Sequence, residues 1–208
     1  MEIWLTILAV ALAYIVAVVT PGPNFLITVK NSLTHSRHIG VFTALGIAGG
    51  TSVHVAAGFI GLTAIFWQVS WLFQIVKILG AAYLMYMGYK VLATKTHPVE
   101  FQYQKGAGHF GRAKAVQLGF YTCVSNPKSA LFYLSLFTAI IPPSSPGWAQ
   151  AVMAVMMVVL SVGWYAGVAF LFSEPLVQQG YRKIERVVNY LVGGLFIGLG
   201  LRLIMVRK

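Results

Sequence analysis

Two apolar stretches of this chain, each long enough to cross a bilayer, are interrupted by proline-bearing polar motifs: TPGPN at Thr20 to Asn24 and SNPK at Ser125 to Lys128. Proline has no amide hydrogen and its ring collides with the preceding turn, so a helix cannot run unchanged through either motif. At membrane depth, irregular backbone is tolerated only where protein or a water-filled cavity surrounds it. A pair of broken apolar helices at corresponding places in two halves points to the binding site of a transporter.

Composition fits that reading. Hydrophobic residues make up 58% of the 208 residues and charged residues 9%, whereas a soluble domain carries about 25% charge. The sequence is that of an integral membrane protein. No polar segment is long enough to fold separately, the longest running from Ala93 to Arg112, so one transmembrane domain is expected over 1–208. It divides into a first repeat at about 1–93, a cytoplasmic connector at about 94–112 and a second repeat at about 113–208. The net charge of +11 raises the question of nucleic acid, but the cations lie at the ends of apolar runs and form no basic, aromatic-interleaved patch. Nucleic acid is therefore not an expected partner; the lipid bilayer is. Cys123 is the sole cysteine, which rules out an internal disulfide, a CxxC redox pair and a cysteine zinc site. No cofactor, metal or catalytic residue is expected.

Spans of about 20 residues each give six transmembrane helices: Ile3 to Leu33, Ile39 to Ile65, Gln68 to Leu92, Ala113 to Ile141, Trp148 to Phe172 and Ile184 to Val206, the first and fourth discontinuous. Lysine and arginine concentrate in the odd-numbered connectors: Lys30 and Arg37 at the first, Lys90, Lys95, Lys105, Arg112 and Lys114 around the third, Arg182, Lys183 and Arg186 at the fifth. Positive charge marks the cytoplasmic side, which places both termini outside. Arg202, Arg207 and Lys208 then lie on the unexpected side. Tryptophan favours the water interface, and Trp4, Trp67, Trp71 and Trp148 all fall at expected outer ends. A cleaved signal peptide is disfavoured at the amino end, which carries Glu2 and no basic residue.

The halves repeat. An offset of 112 positions lays AAYLMYMGYKVL from Ala81 over GGLFIGLGLRLI from Gly193, matching Gly88 to Gly200, Lys90 to Arg202 and Lys77 to Asn189. The broken spans align as Pro21 over Pro127. Each half has an odd number of spans, so the second half enters from the opposite side. The expected architecture is an all-α polytopic membrane protein of two inverted three-helix repeats, with substrate near the midplane. The same inversion makes Arg202 the mirror image of Lys90.

Chemistry enters at the breaks. Pro23 and Pro127 suit the first position of a new helix, and Asn126 is a good amino-terminal cap. Free amides and the positive end of each helix dipole would gather there and attract an anion, most simply a substrate carboxylate. Lys128 belongs to this set, because a lysine at bilayer depth costs about 2.5 to 3.5 kcal/mol on insertion scales and calls for an anionic partner. The bland alternative is that it ties down free carbonyls at the break.

Further candidates for coupling or pocket roles are His54, Lys77, Ser161 and Tyr165, with Trp164 beside them. Gly46, Gly50, His54 and Gly58 recur at steps of four along one helix face, a small-residue stripe for close packing, either internal or in a homodimer. His54 should therefore face protein, either as a proton carrier or as a neutral hydrogen-bonding histidine.

TPGPN, the glycine-rich second span with His54, GAAYLMYMGYKVL and NPKSALFYLSLF, in this order over essentially the whole chain, resemble the lysine-exporter (LysE) superfamily. Within it, the homoserine/threonine-exporter (RhtB) branch fits best. The resemblance implies a secondary transporter in the cytoplasmic (inner) membrane of a bacterium or archaeon. It would export amino acids or close derivatives by alternating access, energised by a proton gradient or the membrane potential. It also implies Pro21, Gly22, Pro23, Asn24, Asn126, Pro127 and Lys128 as substrate-binding positions. Two features depart from the pattern: no carboxylate lies at midplane depth, and Ser125 and Ser129 make the surroundings of the second motif polar. Export of a cation or other small metabolite, or a non-transport membrane scaffold, are the alternative readings; cation export lacks the carboxylates that divalent cations favour.

Overall fold

A computed structural model of the chain describes residues 2–68, 70–93, 110–142, 144–172 and 174–205. The described residues form helices joined by turns, with no strand among them: α1 (Glu2–Val19), α2 (Pro23–Thr34), α3 (Arg37–Gln68), α4 (Ser70–Ala93), α5 (Arg112–Val124), α6 (Pro127–Ala139), α7 (Gly147–Leu171) and α8 (Pro175–Met205). Both expected breaks are present. The first apolar run divides into α1 and α2 at Thr20–Gly22, and the second into α5 and α6 at Ser125–Asn126.

Each break follows from local chemistry. Pro23 and Pro127 occupy the first turns of α2 and α6, where a missing amide hydrogen costs nothing. Before each of them the chain is extended, at Gly22 with φ −170° and at Asn126 with φ −78° and ψ 110°, as a residue preceding proline prefers. Pro23 and Pro127 thus hold the same local position, at the start of a half-helix, while Pro21 lies outside α2.

The last helix also differs from expectation. It begins at Pro175, nine residues before Ile184. Charged side chains at Arg182, Lys183, Glu185 and Arg186 lower hydropathy without opposing helix formation, so an apolar window marks the lipid-soluble part and misses the helical one.

Among the described residues, three helices are long and apolar enough to cross a membrane: Glu2–Val19, Arg37–Gly61 and Gly147–Leu171; Ile78–Ala93 and Arg186–Leu201 are shorter apolar runs. On α1, Leu5, Leu8, Leu12 and Ile15 are exposed while Val10, Ala13, Tyr14 and Ala17 are buried. On α7, Val152, Val155 and Val159 face outward while Met153, Met157, Ser161 and Tyr165 face inward. Apolar stripes on the outside and polar groups within are the pattern of helices solvated by lipid. The chain is a multi-pass membrane protein.

Close backbone approach holds the bundle together. α3 packs on α5, α7 and α2, and α4 packs on α8 and α6. A Cβ added at Gly46 would collide with the Val116 carbonyl, and one at Gly119 with the Thr43 carbonyl. The α3 stripe expected from Gly46, Gly50 and Gly58 is thus used against α5 and α6 of the same chain. Between α4 and α8, Gly88 lies against Gly193 while Gly200 lies against the Ala81 carbonyl. Rising numbers on one helix meet falling numbers on the other, so this pair is antiparallel.

Candidate functional site

α1 ends at Val19, directly before the first motif, leaving carbonyls of its last turn without helical partners. The Thr20 hydroxyl turns back to the Val16 carbonyl at 3.0 Å, and the carbonyl of Thr20 accepts a hydrogen bond from Lys128 Nζ, also at 3.0 Å. The second break thus reaches across to close the first. Asn126 does the converse. Its Oδ1 caps α6 by accepting from the Lys128 amide at 3.0 Å, while its Nδ2 donates to Asn24 Oδ1 at 3.3 Å. Asn24 Nδ2 in turn donates to Ser129 Oγ at 3.4 Å. One polar chain therefore runs Ser129, Asn24, Asn126, Lys128, Thr20, with Asn24 and Asn126 buried. Buried polar groups linked in this way are mutually satisfied and hold a defined geometry.

The chain forms one end of a small cavity of about 30 Å³. Thr20, Gly22, Asn24, Asn126, Lys128 and Ser129 line the polar end; Tyr14, Ala17, Val18, Phe25, Phe132, Tyr133 and Tyr165 line the rest. The lining contains an ammonium group and two helix starts and no carboxylate. Gly22 provides no side-chain cap for α2, and a Cβ there would stand 3.3 Å from Lys128 Cδ and Nζ. The arrangement suits a small anionic group, held by the positive helix ends and the lysine.

The sequence candidates thus divide. Gly22, Asn24, Asn126, Lys128 and Tyr165 line the cavity. Pro21, Pro23 and Pro127 are not among the lining residues; Pro23 and Pro127 start the half-helices. His54 lies behind the cavity wall, its ring stacked on Tyr133 with centroids 5.1 Å apart and its Nε2 3.1 Å from the Cys123 carbonyl. Ser161 is fully buried and shares a 3.2 Å hydrogen bond with Thr51. Trp164 Nε1 is buried with no partner among the described residues. Lys77 lies in α4, and its side chain is outside the described residues.

Sequence reasoning missed Tyr14, Phe25, Phe132 and Tyr133. A signal for two of them was present. Tyr14 precedes Thr20 by six residues and Tyr133 follows Lys128 by five, so each carries a polar group inside an apolar run within two turns of a break.

Comparison with known proteins agrees with the geometry. The family model described as LysE type translocator matches residues 15–207. The chain is similar to the threonine efflux protein of Escherichia coli (strain K12), 28% identical over 207 residues covering 96% of this chain and 98% of that protein. It is also similar to the threonine efflux protein of Salmonella typhi, at 28% identity over 95% of this chain and 97% of that protein. The leucine efflux protein of Salmonella choleraesuis (strain SC-B67) is 32% identical over 197 residues, 89% of this chain and 88% of that protein. No solved structure matches. With a match across both broken apolar runs and the cavity between them, this chain belongs to the LysE type translocator family, whose members are transporters and not enzymes.

Proposed function

We propose that this protein is a secondary transporter that exports amino acids or close derivatives, small zwitterions of the threonine or homoserine kind, across the cytoplasmic (inner) membrane of a bacterium or archaeon. The observation that carries the reading is the meeting of both chain breaks in one cavity, with Lys128 and the starts of α2 and α6 at its polar end. The substrate carboxylate sits at that end, displacing the Thr20 carbonyl from Lys128 Nζ. Asparagine and serine oxygens and the aromatic walls take the ammonium group, by hydrogen bonds and cation–π attraction. The names of the threonine and leucine efflux relatives support this substrate class and the outward direction.

The transport cycle rests on two inverted repeats of three spans, α1 with α2, α3 and α4 in one and α5 with α6, α7 and α8 in the other. Several packing relationships support this. Exchanging halves turns α3 on α5 into α7 on α1, α3 on α6 into α7 on α2, and α2 on α5 into α6 on α1, and all of these contacts occur. The contacts of α2 with α3, α4 with α6, α3 with α4, α6 with α8 and α1 with α8 have no counterpart of similar extent, and α3 on α5 is much the more extensive of its pair. At the 112-residue offset, Gly88 against Gly193 becomes Gly200 against Ala81, which is the other contact of the same helix pair. A two-fold axis relating antiparallel helices runs perpendicular to them, that is, in the membrane plane. Rocking of the halves then exposes the cavity to each side in turn. Both termini lie outside: Trp4 and Trp148 pack together at 5.6 Å at the starts of α1 and α7, and the ion pair of Arg37 with Glu174 joins the halves at the opposite, cytoplasmic end. A proton gradient or the membrane potential drives export.

Efflux of radiolabelled threonine and leucine from liposomes holding the purified chain tests the reading, with and without an imposed proton gradient. Gradient-dependent release, abolished in Lys128→Ala although that variant inserts normally, is the expected result. Release no faster than from empty liposomes overturns it.

A further inference from the structure

The cavity has a second polar feature, between one and two turns along α1 and α6 from the chain breaks. Tyr133 donates a hydrogen bond to the Tyr14 hydroxyl oxygen at 3.2 Å, and both residues are buried, with 5% and 1% exposure. Both also line the cavity, among the apolar side chains of Ala17, Val18 and Phe132. Two phenol hydroxyls bring two donor hydrogens and four acceptor lone pairs. Their mutual bond uses one of each; the hydroxyls of Thr51 and Ser161 stand beside that of Tyr14, and Thr51 also beside that of Tyr133, which leaves acceptor lone pairs of the phenols for a third group that donates. The rings are held from behind: His54 stacks on Tyr133 and is itself fixed on the Cys123 carbonyl, while Phe132 packs at 6.2 Å from Tyr14. At about 1.5 Å of rise per residue, Tyr133 stands roughly 7.5 Å along α6 from Lys128, a separation that a small amino acid bridges with its carboxylate at one end and its side chain at the other.

We propose that Tyr14 and Tyr133 are the specificity-determining pair of this transporter, hydrogen-bonding a hydroxyl group on the side chain of the exported amino acid, with His54 as the residue that positions Tyr133. The inference rests on the amino-acid-exporter reading and deepens it. An aliphatic side chain entering the same space leaves the Tyr14–Tyr133 bond intact, so it meets no orphaned polar group and is disfavoured only by the missing interaction. Discrimination is accordingly about tenfold, the size of one neutral hydrogen bond. A site whose polar groups are left wholly unpaired by the wrong substrate discriminates by several orders of magnitude more.

The test uses L-threonine and L-valine, which differ by a hydroxyl in place of a methyl group, as labelled substrates for efflux from liposomes containing the full chain. Wild-type protein is expected to favour threonine about tenfold in kcat/KM. The double variant Tyr14→Phe/Tyr133→Phe, which removes both hydroxyls and so leaves neither unpaired, is expected to bring the ratio near one. An unchanged ratio in that variant, or equal wild-type rates, overturns the inference while leaving the exporter reading in place. Transport of neither amino acid by wild-type protein overturns both. Competition in wild-type protein gives a second measurement, independent of how the variant folds: threonine should inhibit labelled leucine efflux about tenfold better than O-methylthreonine or valine, and equal inhibition sinks the assignment.

Discussion

Lys128 Nζ donates a hydrogen bond to the Thr20 carbonyl at 3.0 Å, joining two chain breaks 108 residues apart. The contact turns a liability, an ammonium group beside a helix start, into the tie that closes the first break. Under the proposed function it is also the contact that a substrate carboxylate displaces. Lys128→Met keeps the stem and removes the charge. It should leave the Thr20 carbonyl unpaired, at a cost of about 1 to 3 kcal/mol, and abolish export, whereas Lys128→Arg should retain part of the activity. Vesicle efflux together with thermal unfolding of the purified variants separates the two losses.

Gly22 tests the same contact from the other side. Its φ of −170° is open to any residue, so alanine there introduces no backbone strain. The added Cβ would stand 3.3 Å from Lys128 Cδ and Nζ, and the flexible lysine must move. Gly22→Ala is expected to raise KM several-fold with little change in unfolding temperature. A KM equal to wild type would show that the lysine position does not govern substrate binding.

Asn126 has two separable duties, capping α6 and bridging to Asn24. Asn126→Ala should destabilise the protein by about 0.5 to 2 kcal/mol through loss of the cap. Asn126→Ser restores a capping oxygen and is too short to reach Asn24. Stability should therefore recover in the serine variant while export does not, as unfolding and efflux measured in parallel will report.

The α3 and α5 helices meet backbone to backbone at Gly46 and Gly119, where an added Cβ would strike the carbonyls of Val116 and Thr43. Backbone cannot yield as a side-chain tip does. Gly46→Leu should destabilise by at least about 1 to 3 kcal/mol, the usual cost of overpacking. Gly163→Leu, placed where an added Cβ meets nothing within 4 Å, should be close to neutral by the same unfolding assay.

The ion pair of Arg37 with Glu174 joins the halves, but its side chains are 47% and 53% exposed. Exposed pairs contribute about 0 to 1 kcal/mol. Arg37→Ala should leave the unfolding temperature nearly unchanged, and any effect it has on efflux should fade as salt rises.

The sequence by itself determined the membrane class, both helix breaks and the face on which Gly46, Gly50 and Gly58 pack, because these depend on local rules: proline at a helix start, apolar length against bilayer thickness, and a period of 3.6 residues. It also named Asn126 and Lys128, a cap and a charge conspicuous inside an apolar run, while Gly22 and Asn24 entered through the family resemblance. It misjudged the start of α8, since charge lowers hydropathy and leaves helix formation untouched. What only the tertiary structure decided is which distant groups meet. Tyr133 bonding Tyr14, His54 stacking on Tyr133 and Lys128 reaching Thr20 join residues 79 to 119 positions apart, and such contacts depend on the crossing of whole helices, which no local pattern of residues encodes.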